Sequence, residues 1–102
     1  MSLTVCIRLN PAKLKNPEIG LRHSVPENIE EFSNGQIKSD GFDYAQNSED
    51  MLIYMKADSE AALKFVLEVI EHTEVDGNDL APAATVTVID ANKSQRQIFP
   101  MG

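Results

Sequence analysis

Alternating apolar and polar positions predict most of the strands in this chain. In residues 3–9 every second side chain is apolar, and residues 84–90 (ATVTVID) repeat that pattern, which is the period of a half-buried strand. The run MLIYMKA at 51–57 is apolar nearly throughout, which is typical of a strand inside a sheet. QIKSDGFDYA at 36–45 predicts a strand bent at Asp40 and Gly41, and QIFP at 97–100 predicts a short edge strand.

A helical period dominates residues 59–72, SEAALKFVLEVIEH. Ala62, Val66 and Ile70 form the middle of its apolar face, with Asp58 or Ser59 as the cap. Phe65 and Val69 flank that line on one side, and Leu63 and Leu67 on the other. Because this face is wider than one contact surface, we expect a first helix to cover the margin of Leu63 and Leu67.

The first helix is predicted to be short and acidic. PENIEEFSNG at 26–35 starts at a proline and ends at Asn34-Gly35, which are typical boundary residues. Asn16-Pro17 predicts an additional short helical turn before it.

This order of elements predicts one α+β domain over residues 1–102. A ferredoxin-like split βαβ plan fits, with a mainly antiparallel sheet and two helices on one face. The inner sheet face would carry Val5, Ile7, Met51, Ile53, Met55, Val86 and Val88. The outer face would carry Cys6, Arg8, Leu52, Tyr54, Lys56, Thr85 and Ile89, a mixture that suits a solvated, half-covered or dimer surface.

The charge is acidic and unevenly placed. The formal net charge is −7, and fifteen of the sixteen acidic residues lie between positions 23 and 90, where there are only three lysines. Nucleic acid and anionic membrane surfaces are poor partners for such a chain because they attract basic patches. A basic protein is a favoured partner, although the same charge can serve only to keep the protein in solution.

Other features point to an intracellular, non-enzymatic protein. One cysteine suits a reducing compartment, and no membrane span or signal peptide is evident, so we expect a cytoplasmic location. Cys6, His23 and His72 share no metal-binding or catalytic spacing. The acidic stretch at 39–50 does not match the ligand register of a calcium loop. We therefore predict no metal site, no cofactor and no catalytic residues.

Two groups of residues are candidates for partner binding. Asp40, Asp43, Glu49 and Asp50 supply negative charge, with Phe42 and Tyr44 predicted to face the core. On the long helix, Leu63 and Leu67 would form an apolar contact centre, bordered by Glu60 and Glu71. For these leucines a core position is the simpler interpretation.

A small acidic α+β chain without a catalytic motif resembles the immunity proteins of bacterial toxin systems. That resemblance implies a protein-binding module that masks a basic partner such as a toxin. It covers the general plan of the chain and assigns no individual residue. The alternative is a small ligand-binding or regulatory domain that forms a homodimer through the open face of its sheet.

Overall fold

The computed structural model describes residues 3–16, 20–46 and 48–100. It contains two helices, α1 (Leu21–Phe32) and α2 (Leu63–His72). The strands are β1 (Leu3–Leu9), β2 (Ile37–Tyr44), β3 (Met51–Ala57), β4 (Glu74–Val75), β5 (Asn78–Asp79), β6 (Ala84–Ile89) and β7 (Gln95–Phe99). The protein is thus α+β, as predicted, while Pro17 of the predicted Asn16-Pro17 turn lies outside the described residues.

Five strands form one antiparallel sheet in the order β2-β3-β1-β6-β7. The central pairs, β1 with β3 and β1 with β6, keep an unbroken register. Each outer pair contains a register shift: Asp40 and Gly41 of β2 lie opposite Tyr54 alone, and Ile98 is an extra residue in β7. The predicted bend at Asp40 and Gly41 is therefore a β-bulge.

The core lies between one face of this sheet and the two helices. All seven residues predicted for the inner sheet face are buried, and on α2 so are Val66, Val69 and Ile70. The other sheet face carries alternate residues that are half-buried or exposed, including Cys6, Leu52, Tyr54 and Ile89. The open face is consequently mixed in polarity, as the alternation predicts.

Helix α1 begins earlier than the sequence predicts. The predicted start was Pro26, but the helix begins at Leu21 and contains Pro26 as its sixth residue. Leu21, Val25 and Ile29 are fully buried on one face, and this burial outweighs the single backbone hydrogen bond that proline removes. The helix end is as predicted: the Gly35 N–H donates to Glu30 O at 2.9 Å, with Asn34 and Gly35 both at positive φ.

Helix α2 ends where its sequence predicts, at His72, but it begins at Leu63, four residues later than the predicted start at Ser59. Ser59 Oγ accepts a hydrogen bond from the Ala62 N–H at 3.3 Å, and a 3-10 turn at Glu60–Ala62 leads into the α-helix. We expected α1 to cover the margin of Leu63 and Leu67. However, α1 packs against the opposite margin of α2, where the ring centroids of Phe32 and Phe65 are 5.8 Å apart. The margin of Leu63 and Leu67 instead faces β7 across an open groove.

A small hairpin of β4 and β5 connects α2 to β6. Asn78 in this hairpin is fully buried, and its Oδ1 accepts from the Asn16 N–H at 2.6 Å. Its Nδ2 donates to Asn16 O at 2.9 Å and to Val75 O at 3.2 Å. One side-chain amide thereby holds the connection after β1 against the hairpin.

Candidate functional site

Strand β2 presents an exposed edge of the sheet. It pairs with β3 on one side, and every residue from Lys38 to Tyr44 is exposed. The prediction that Phe42 and Tyr44 are core residues is wrong, since 42% and 41% of their surfaces are accessible. Their predicted face is nevertheless right, because their partners across the ladder are the buried Ile53 and Met51.

These two aromatics are partly covered by the start of α1. In the described part of the chain, its first turn reaches this end of the sheet, where Arg22 Cζ lies 4.5 Å from the centroid of the Phe42 ring. The His23 ring meets the same phenyl ring edge-on at 5.9 Å, and Tyr44 meets it from another side at 6.4 Å. The result is a partly covered aromatic pair that retains apolar surface for a partner.

Acidic residues lie along the same edge. Asp43 pairs with Leu52 and so lies on the open sheet face, opposite to the face of Phe42. Asp40, in the bulge, is 4.0 Å from Lys56 Nζ, and Glu49 is exposed in the turn that follows β2. We call Asp40, Phe42, Asp43, Tyr44 and Glu49 the β2 edge surface.

Asp50 has a different environment from the other three acids of this stretch. Arg8 Nε donates to Asp50 Oδ2 at 2.6 Å, and only 17% of the Asp50 side chain is accessible. This charge-assisted hydrogen bond joins β1 to the start of β3. Asp50 therefore contributes less free negative charge to a partner than Asp43 or Glu49 does.

The second predicted group lies beside β7. Glu60 forms an ion pair with Arg96 of β7, and Leu63 is 6% exposed, so that this leucine belongs to the core. Leu67 is half-buried and lines a groove of about 620 Å³ between α2 and β7. We call this space, bordered by Glu60, Leu63, Lys64, Leu67, Arg96 and Ile98, the α2–β7 groove. Glu71 is exposed at the end of α2, with Oε2 3.7 Å from His72 Nε2.

The two predicted groups do not form one surface. The strands β2 and β7 are at opposite ends of the sheet, separated by four strand spacings or about 19 Å. The fold therefore places the two predicted groups on two separate surfaces. Sequence reasoning did not name Phe42, Tyr44, Arg96 and Ile98 as site residues, although β7 was predicted to be an edge strand.

The open sheet face holds two residues with shifted acidities. Cys6 and Tyr54 are cross-strand partners on β1 and β3. Burial raises the pKa of the Cys6 thiol, and Arg8 partly opposes this. Burial also raises the pKa of the Tyr54 hydroxyl, with further contributions from Cys6 and Asp43. Both groups therefore keep their protons to a higher pH than an ordinary thiol or phenol does.

Neither metal-binding geometry nor similarity to known proteins adds a further assignment. Within residues 3–16, 20–46 and 48–100, no three His, Cys, Asp or Glu side chains are grouped so that they could hold a metal ion. In that same part of the chain no helix has the length and apolarity needed to cross a membrane. Comparison with protein-family models, curated proteins and solved structures finds no significant match.

Proposed function

We propose that this protein is a non-enzymatic binding module that masks a basic protein, such as a toxin, in the cytoplasm. The contact is the β2 edge surface, where aromatic side chains lie beside carboxylates on one exposed strand. In this arrangement Phe42 and Tyr44 supply the apolar contact area, while Asp40, Asp43 and Glu49 attract and orient the basic partner. The proposal keeps the immunity-like role that the acidic composition suggests.

The observation that carries the proposal is the exposure of two neighbouring aromatics on an edge strand. Large apolar side chains usually lie inside a protein, and exposed aromatic clusters are typical of interaction surfaces. Tyrosine is also among the residues that dominate binding energies. Since the net charge is −7, a cationic partner is attracted over a long range before contact.

The fold that presents this surface is proposed to follow the ferredoxin-like plan. Strand β3 lies between β2 and β1, and β6 lies on the other side of β1. Each half of the chain up to β6 supplies a strand, a helix and a strand in the order expected of a split βαβ unit. In this interpretation β7 is an addition at one edge, and β4 with β5 is an insertion before β6.

The proposal is tested by capture of partners from the native cell on the immobilised parent chain. We expect mass spectrometry to identify a basic protein that the variant Phe42→Ala/Tyr44→Ala no longer retains. Phe32→Ala is the matched control, because Phe32 is also aromatic and 51% exposed but lies on α1. Retention of the same basic protein by the edge variant, or retention of acidic proteins only, would contradict the proposal.

A second candidate function is a regulatory domain that forms a homodimer through the open sheet face. It is favoured by the apolar Leu52 and Ile89 and by Tyr54, which are half-buried on the sheet face opposite to the core. Light scattering after gel filtration distinguishes this case. A dimer that Leu52→Glu dissociates would support it, whereas a monomeric parent chain would exclude it.

A further inference from the structure

The α2–β7 groove lies at the other end of the sheet from the proposed site and has no role in it. Three apolar residues line it: Leu67 and Ile98 are half-buried, and Leu63 is buried at its base. The bulge in β7 explains the position of Ile98. The extra residue places Ile98 and Phe99 together on the helix side, where Phe99 is buried in the core and Ile98 lines the groove.

One wall of the groove is β7, which within residues 3–16, 20–46 and 48–100 pairs only with β6 and so forms an edge of the sheet. The Asp90 N–H donates to Ser94 O at 3.1 Å, so this pair closes the hairpin between β6 and β7. Along an antiparallel ladder, hydrogen-bonded residue pairs alternate with pairs that are not hydrogen-bonded. The pair Ile89–Gln95 is therefore not hydrogen-bonded, and Val88–Arg96 is the next hydrogen-bonded pair. The backbone groups of Gln95 and Gln97 consequently point away from β6, toward the open edge.

We propose that the α2–β7 groove binds an extended segment of a partner protein, which adds to β7 as a further antiparallel or parallel strand. The segment's backbone pairs with Gln95 and Gln97, and its apolar side chains on the helix side enter the groove against Leu67 and Ile98. Strand addition of this kind obtains affinity from main-chain hydrogen bonds and specificity from alternate side chains. Because the bulge begins after Gln97, the added strand is short.

The charges in the groove define the segment further. Among the charged residues that line it, Lys64 and Arg96 are opposed by Glu60, which forms an ion pair with Arg96. Lys64 Nζ lies 5.3 Å from the centroid of the Phe65 ring, and the two cations outnumber the one carboxylate. The groove is thus locally cationic on an acidic protein, and the segment carries a carboxylate beside its apolar residues.

A second copy of this chain is a poorer occupant than such a segment. Two chains of net charge −7 repel each other over their whole surfaces. In a symmetric antiparallel pair of two β7 strands, Gln95 of one copy would lie opposite Gln97 of the other. The two Arg96 residues would then lie directly opposite each other. Like charges directly opposite each other destabilise a strand pair.

The test uses a phage-displayed library of random dodecapeptides, selected on the parent chain. We expect enriched peptides with alternating apolar residues and at least one carboxylate. A synthetic copy of the most enriched peptide should lose about tenfold or more of its affinity for Leu67→Glu, which places a charge in the apolar contact. Amide hydrogen exchange should slow at Gln95 and Gln97 when the peptide binds.

Two further variants complete the test: the first is a control that separates this groove from the proposed function, and the second tests the backbone pairing. Phe42→Ala/Tyr44→Ala should bind the peptide like the parent chain, because β2 is at the opposite edge. Gln95→Pro removes one outward N–H from an edge position that tolerates proline, and it should weaken binding while circular dichroism shows an intact fold. Enriched peptides that bind Leu67→Glu equally well, or an absence of enrichment, would overturn the inference, as would a parent chain whose dimer dissociates with Leu67→Glu.

Discussion

At the scale of single residues, Asn78 shows how a buried polar side chain can substitute for backbone pairing. Its amide makes hydrogen bonds with both backbone groups of Asn16 and with Val75 O. Changing Asn78 to Ala should lower the free energy of unfolding by about 1–3 kcal/mol, because buried groups lose their partners. Urea denaturation measures this, with the exposed Asn92→Ala as the control. A loss no larger than that of the control would show that the amide contributes nothing to stability.

Cys6 gives a second prediction at this scale, concerning alkaline pH. Because its pKa is raised above the ordinary 9.0 in the folded protein, the folded state holds the thiol proton more tightly than the unfolded chain. The contribution of the protonated thiol to the free energy of unfolding is therefore complete below the ordinary pKa of 9.0. It falls as the pH rises from there through the pKa of Cys6 in the folded protein.

Unfolding in urea at about pH 8 and about pH 10 measures this effect. The parent chain should lose more stability between these values than Cys6→Ala does. Tyr54→Phe serves as a parallel variant, because the pKa of Tyr54 is also raised. Equal losses in the parent chain and Cys6→Ala would contradict the prediction.

At the scale of elements, α2 is the helix whose packing the sequence predicts best. Ile70 is fully buried and lies in the middle of the predicted apolar face. Ile70→Ala should cost about 2–5 kcal/mol of unfolding free energy. The exposed Glu68→Ala on the opposite face should change it by about 0.5 kcal/mol or less. Chemical denaturation of both variants provides the comparison, and similar values would mean that the helix packs through another face.

The elements also show how far the sequence predicts the structure and where it stops. Alternation at β1 and β6 assigns the inner face correctly, because a period of two leaves only two choices of face. The inner face of the apolar strand β3 follows from the same two-residue period. The same period places Phe42 and Tyr44 on the helix side but contains no information about how far α1 extends over them. The start of α1 was missed because Pro26 usually marks a beginning, whereas here the burial of Leu21 and Val25 extends the helix before it.

At the scale of the whole molecule, the distribution of charge leads to a kinetic prediction. Changing Asp40 and Asp43 to Asn, and Glu49 to Gln, should slow association with the basic partner by about tenfold or more at low ionic strength. Dissociation should change less, since charges at the rim act mainly before contact. Surface plasmon resonance at two salt concentrations separates the two rates.

A matched control for this experiment changes the same charge at residues outside the β2 edge surface. Glu68, Glu74 and Asp76 are all exposed, on α2 and the hairpin after it. Their replacement by Gln, Gln and Asn should slow association less than the edge variant does. Equal effects would show that net charge alone attracts the partner. Asp50 is left unchanged because its removal would break the hydrogen bond with Arg8.

Both outer strands of the sheet carry one extra residue, while the inner pairs are regular. An uninterrupted flat edge is a template for open-ended growth into fibrils, and a bulge disturbs that template. These two irregularities should therefore keep concentrated solutions clear of aggregates. Deleting Gly41, which lies in the β2 bulge at φ +103°, should make that edge regular and shorten the lag before thioflavin-positive fibrils form. Shaking the parent chain and the deletion variant side by side tests this, and equal lag times would mean that something other than the bulge protects the edge.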